Sequence, residues 1–254
     1  MNRRHVKRDN FFIAQWFHWK VAGIADVSAK VALVNRLLRK LGFWVSLQPP
    51  RENGGMTNVE QRMNLWHFAS QVLAYRVPGS FVELGCNEGH SSVLIQKVIE
   101  DFDPLREFHV YDSFEGLPAL RPEDGDTRYG QGQMRTTREK LLANFSRYGL
   151  RVPAIHPGWF EDTLPTQLPD TICFAYLDGD LYESIKVSLQ YVYPRLSRGA
   201  ICVIDDYADP AVWPQAWNEL PGVKRACDDF FADKPEKVTF LYSGEMSHGY
   251  FYKQ

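Results

Sequence analysis

The 254-residue chain contains no uninterrupted apolar run approaching the ~18 residues that a membrane-spanning helix needs. Its N-terminus is basic, but residues 11–24 are broken by Gln15, His18 and Lys20 and do not form the clean apolar core of a signal peptide. The four cysteines, Cys86, Cys173, Cys202 and Cys227, show no CxxC spacing, and two of them lie inside apolar runs. That pattern argues against a disulfide framework or a zinc site and for buried free thiols in a reducing compartment, so a cytoplasmic location is expected. The seven histidines show no paired metal-ligand spacing, and there are no internal repeats or low-complexity tracts. A formal net charge of −2 argues against nucleic acid as a partner of the whole chain.

The charge is unevenly spread. Residues 1–51 hold ten Lys/Arg and two Asp, about +8, whereas the remainder holds 19 Lys/Arg against 29 Asp/Glu. Residues 1–54 read as a basic, aromatic helical extension: 26–42 has apolar residues at helical spacing and stops on Lys40 and Gly42. Pro49-Pro50 and Gly54-Gly55 bracket a linker to a second domain over 55–254. The aromatic segment Phe11, Phe12, Trp16, Phe17, Trp19 reads as a helix packed on that domain or on a partner copy in a homo-oligomer. A peripheral contact with a membrane or an anionic glycan is the alternative.

After a helix near 58–74 the period changes. Strand-like runs at 81–84, 108–111, 154–156, 174–177 and 200–204 alternate with helix-like segments at 91–100, 136–147, 181–196 and 223–231. This predicts right-handed βαβ units in a doubly wound parallel sheet. A closing hairpin over 238–242 and 249–252 turns through Gly244. An α/β sheet with an antiparallel last strand is the Rossmann-like arrangement of class I methyltransferases dependent on S-adenosylmethionine (SAM). The polar loop 121–135 reads as a lid.

Two acidic clusters end apolar runs: Leu177-Asp178-Gly-Asp180 and Ile204-Asp205-Asp206-Tyr207. Buried parallel strands deliver such residues to their C-terminal ends, where open α/β sheets bind ligands. Carboxylates gathered there repel one another unless a proton or cation relieves them, which points to a hard divalent ion such as Mg2+. Upstream, Phe81-Val-Glu83-Leu-Gly85-Cys-Asn87-Glu-Gly89 runs a strand into a glycine-bearing turn. A dinucleotide fingerprint has a middle glycine where Asn87 stands, and Glu88 follows it. That chemistry suits the cationic, phosphate-free SAM better than NAD. Asp112, after the second strand, is placed for ribose hydroxyls, and Glu83 for the amino-acid portion of the cofactor.

The motifs Phe81-Val-Glu-Leu-Gly, Tyr111-Asp-Ser-Phe-Glu-Gly-Leu-Pro118, Gly158-Trp-Phe-Glu-Asp-Thr-Leu-Pro165, Leu177-Asp-Gly-Asp-Leu-Tyr-Glu-Ser184 and Val203-Ile-Asp-Asp-Tyr207 occur in this order. Together they resemble the macrocin O-methyltransferase (TylF-type) family over about residues 55–254, leaving the first 50 residues outside. The resemblance implies a SAM- and Mg2+-dependent methyltransferase of sugar hydroxyls on natural products or cell-surface glycans. It implies Asp178, Asp205 and Asp206 as metal ligands, with Asp180 the general base one residue past the ligand turn. Asp112 and Ser113 would meet the cofactor, and Trp159 and Phe160 would line an adenine pocket or simply pack in the core. Two alternatives stand beside these roles. Asp180 with Glu183 matches a capping box for the following helix. Asp205 and Asp206 can share a metal only if the strand ends between them. A metal-dependent O-methyltransferase of a catechol-like phenol and a non-catalytic SAM- or glycan-binding protein are the competing functions.

Overall fold

In the computed structural model the described residues are 56–254 together with a few positions between 33 and 41. Within the expected helix 26–42, Leu33, Arg36 and Leu38 are helical and Arg39–Leu41 forms a 3-10 turn; its other positions and the aromatic N-terminal segment lie outside the described residues. Among the described residues, no helix is long and apolar enough to cross a membrane.

Helix α1 (Val59–Ala74) opens on a capping box in which Asn58 and Gln61 exchange side-chain and backbone hydrogen bonds at 2.8 and 3.0 Å. It leads into β1 (Ser80–Leu84), α2 (His90–Phe102), β2 (Phe108–Asp112), α3 (Arg138–Tyr148), β3 (Ala154–Pro157), α4 (Phe160–Gln167), β4 (Ile172–Leu177), α5 (Tyr182–Val192), β5 (Leu196–Asp205), α6 (Pro221–Phe230), β6 (Thr239–Ser243) and β7 (Met246–Tyr252). The seven strands form one sheet in the order β3-β2-β1-β4-β5-β7-β6. β1 to β5 are parallel, and β7 pairs antiparallel with β5 and with β6. The expected closing hairpin is therefore present, with its second strand inserted between β5 and the edge strand β6.

Every residue of β4 is buried, as is the stretch Ala200 to Asp205 of β5, so their apolar runs reflect cover on both faces of the sheet. Helices α1, α2 and α3 touch in series, as do α4, α5 and α6. Two expected boundaries moved. The helix expected over 181–196 ends at Val192 because Pro194 turns the chain through a 3-10 segment, and β5 starts at Leu196 instead of 200. Helix α4 has only eight residues and contains Pro165, so no helical period marks it in the sequence.

The strand order reverses between β1 and β4, with β2 on one side and β5 on the other, which makes their C-terminal ends the switch point of the sheet. Gly85 closes that junction. Its N–H donates to Tyr111 O at 2.8 Å, and Asp178 N–H donates to Leu84 O at 2.8 Å. The φ of Gly85 is +95°, and a Cβ there would lie 1.8 Å from Asp178 O. Gly85→Ala is therefore expected to force β1 and β4 apart, costing about 2–4 kcal/mol from overpacking plus left-handed strain. Gly149, which ends α3 at φ +64° and would have nothing within 4 Å of an added Cβ, is the control, and alanine there should cost about 1 kcal/mol. Urea unfolding of both variants checks this; equal losses would mean that the close approach at Gly85 carries no special cost.

Candidate active site

A cavity of about 370 Å3 opens at the switch point. Asn87, Asp112, Ser113, Trp159, Phe160, Asp178, Asp180, Asp205 and Asp206 all line it. Two of the predicted residues do not line it. Glu83 is fully buried beneath the turn, where the Ser91 hydroxyl donates to Oε1 and Oε2 has no partner. Gly89 lies behind the wall, where its φ of +81° starts α2 and a Cβ would press on Leu141 at 3.2 Å. Glu83 therefore supports the turn from behind and does not face a bound molecule, because its strand position points it into the helix layer.

Asp112 is fixed by backbone donors: Asn87 N–H to Oδ2 and Phe114 N–H to Oδ1, both at 2.7 Å. Each oxygen keeps a lone pair for a further donor. Phe160 presses against the Gly179 turn, where a Cβ would come within 3.2 Å of its ring, so it lines the cavity and braces the acidic loop at once.

Carboxylate oxygens of Asp178, Asp205 and Asp206 lie within 4.8 Å of one another. Strand β5 ends at Asp205, and Asp206 turns to φ +55°, which brings two successive side chains to one site. Asp206 N–H donates to Ser247 O at 3.0 Å. Asp205 Oδ1 accepts from Gln61 Nε2 at 2.8 Å and is approached by His248 Nε2 at 2.7 Å, off the ideal hydrogen-bond line. Its other oxygen is left for the cluster. Burial, then the neighbouring acids, hold Asp178 and Asp206 well above the usual carboxylate range, and the same causes push Asp180 up to about 7. Oxygen-only donors crowded in this way fit a hard divalent cation.

The capping box expected of Asp180 does not form. Leu181 occupies the N-cap position of α5, and Glu183 pairs with Arg121 at 3.1 Å. The cap comes from outside the helix: buried Asp124 accepts from Tyr182 N–H at 2.7 Å with Oδ1 and from Arg121 N–H at 2.7 Å with Oδ2. The polar loop 121–135 is thus fastened at Asp124 and again where Asn87 Nδ2 donates to Met134 O at 2.9 Å and Leu117 N–H to Gln133 O at 2.9 Å. Sequence reasoning missed Asp124, Gln61, Ser247 and His248. Only Asn58 followed by Gln61 carried a local signal, and it spoke of the cap alone.

The sequence model of the family described as Macrocin-O-methyltransferase (TylF) matches residues 9–231, reaching into the segment that the motif resemblance left outside. The chain is 39% identical over 162 residues to the 8-demethyl-8-(2,3-dimethoxy-alpha-L-rhamnosyl)-tetracenomycin-C 4'-O-methyltransferase of Streptomyces olivaceus, covering 60% of this chain and 62% of the relative. It is 32% identical over 167 residues to the mycinamicin III 3''-O-methyltransferase of Micromonospora griseorubida, covering 61% and 66%. The chain thus spans under two thirds of the length of the curated relatives it matches. Among solved structures it is similar to the O-methyltransferase NovP, with a TM-score of 0.65 at 25% identity over 90% of this chain and 97% of that one. The calicheamicin methyltransferase shares the fold, with a TM-score of 0.61 at 22% identity over 90% and 93%.

Glu83 yields a pH prediction. Burial raises its pKa from 4.5 to about 7, so the folded state binds a proton that the unfolded state has released. Its stabilising contribution is complete below pH 4.5 and is lost as pH rises through 7. Glu83→Gln keeps the shape and cannot ionise. Relative to the parent it should be neutral at pH 5 and stabilising at pH 8, by at most about 3 kcal/mol. Comparing variant with parent cancels the other acids; a gap that does not widen between pH 5 and 8 would refute a protonated Glu83.

Proposed function

Because the chain belongs to the macrocin-O-methyltransferase (TylF) family, we propose that it is a SAM- and Mg2+-dependent O-methyltransferase acting on a sugar hydroxyl of a glycosylated small molecule. The observation that carries this reading is the convergence of Asp178, Asp205 and Asp206 in the cavity that also holds the Asn87 turn and Asp112. The rhamnosyl 4'- and mycinamicin 3''-O-methyltransferases among its relatives favour a sugar hydroxyl over a catechol-like phenol.

SAM, when bound, supplies an electrophilic methyl group on a sulfonium that leaves as neutral S-adenosylhomocysteine (SAH). Asp178, Asp205 and Asp206 would hold Mg2+, whose positive charge would make a poorly acidic sugar hydroxyl easier to deprotonate. The remaining work falls to the chain. Asp112 accepts hydroxyl hydrogen bonds with the lone pairs that Asn87 and Phe114 leave unused. Trp159 and Phe160 cover a planar base against water. Asp180, on the cavity wall, would take the acceptor's hydroxyl proton on a carboxylate oxygen.

Since Asp124 caps α5, Asp180→Asn separates chemistry from stability. The variant should keep its melting temperature and its affinity for SAM while turnover on a rhamnosylated acceptor falls by about 10²–10⁴. Parent-like turnover would remove Asp180 from the reaction. For the metal, EDTA should abolish turnover and Mg2+ restore it, while Asp206→Asn should mimic the chelator and calorimetry still detects SAH. Full turnover in EDTA would reduce the acidic cluster to a structural role.

A further inference from the structure

The cavity lining includes two aromatic residues that the methyl-transfer chemistry does not use. Tyr129 and Trp217 are both half-buried and both line the cavity, with ring centroids 6.1 Å apart and planes inclined by 60°. Trp217 is tied to the acidic cluster through one residue. Ser247, wholly buried, donates its hydroxyl to Trp217 O at 2.9 Å and accepts Asp206 N–H on its own carbonyl at 3.0 Å. Tyr129 rides on the loop fastened at Asp124 and Met134. Arg128, which also lines the cavity and lies over one face of Tyr129 at 5.5 Å from the ring centroid, pairs with Glu219 at 3.5 Å and joins that loop to the segment bearing Trp217. Met246 lines the cavity as well.

We propose that Tyr129 and Trp217 form a stacking platform for the pyranose ring of the acceptor, the specificity subsite of the methyltransferase proposed above, on which this inference rests. A pyranose has an apolar face of C–H bonds and a rim of hydroxyls. The platform offers aromatic surface to that face while Asp180, Asp205 and Asp206 stand where a rim hydroxyl would arrive. Asp112 ends β2 and Asn87 follows β1, whereas Asp180 follows β4 and Asp205 and Asp206 stand at the end of β5, so the cofactor reading and the platform draw on different strand ends. An aromatic surface of this kind favours the C–H face of a pyranose over a flexible chain, so acceptor choice lies with Tyr129 and Trp217, separately from SAM binding.

Saturation-transfer NMR tests this on the full chain loaded with SAH and Mg2+, using methyl α-L-rhamnopyranoside at millimolar concentration as the probe. The parent should transfer saturation most strongly to the ring C–H protons of the probe. Trp217→Ala and Tyr129→Ala should each weaken that transfer about fivefold, in line with the loss of one aromatic contact. Trp217→Phe and Tyr129→Phe should largely retain it, and all four should bind SAH as the parent does by calorimetry, which also reports that they are folded. Undiminished transfer in both alanine variants, or no transfer in an SAH-bound parent, would overturn the platform while leaving the methyltransferase reading intact. A parent that binds no SAH would overturn both.

Discussion

Three carboxylates with oxygens inside 4.8 Å, Asp205 and Asp206 buried and Asp178 half-buried, set the constraint that the site is built around. At an effective dielectric of 20, each pair of charges about 4 Å apart costs on the order of 4 kcal/mol. Three ionised acids would therefore cost about as much as a whole domain's stability. Full ionisation without a counter-charge is therefore strongly disfavoured, and a bound proton or a cation relieves it. The raised positions of Asp178 and Asp206 on the pH scale express the first state. Oxygen-only ligands at the mouth of a cavity suit the second.

The surrounding structure holds this arrangement in place. Gln61 uses its carbonyl for the cap of α1 and its amide for Asp205, so one side chain both starts a helix and orients a member of the acidic cluster. His248 approaches the same oxygen from β7, and Asn64 on α1 lies 3.4 Å from the other ring nitrogen of His248. The antiparallel strand inserted beside β5 is thus what lets the C-terminal segment support Asp205 and, through Ser247, Asp206. A purely parallel sheet would leave that edge of the cavity unsupported.

Much of this was legible in advance. The alternation of buried runs with helical segments defined the sheet, and acidic residues at the ends of two apolar runs located the site, because both signals are local in sequence. What escaped was long-range. Asp124 caps α5 from 58 residues away, and Gln61 reaches Asp205 across 144. Neither pairing leaves a mark on local spacing. Glu83 was misread for a different reason: its strand position fixed its depth in the sheet, but only the Ser91 hydroxyl above it shows that it faces the helix layer.

The cavity is also where the backbone is least relaxed. Among the described residues, six that are not glycine have positive φ, and four of them, Asn87, Met134, Asp180 and Asp206, line the cavity. Each such position costs of order 1–3 kcal/mol unless its surroundings hold it or its side chain tolerates it. Aspartate and asparagine tolerate the left-handed region better than most residues, which accounts for three of the four. Chemistry alone would accept glutamate at 180 or 206, since a longer carboxylate still binds protons and cations. The left-handed turns do not, because they swing a short side chain back to the strand ends while a glutamate would add both backbone strain and reach beyond the cluster. The choice of aspartate is therefore fixed twice, by the charge the site needs and by the turn that delivers it. A cation that neutralises Asp178 and Asp206 also stabilises the strained turn on which Asp206 sits, coupling ligand binding to the stability of the fold.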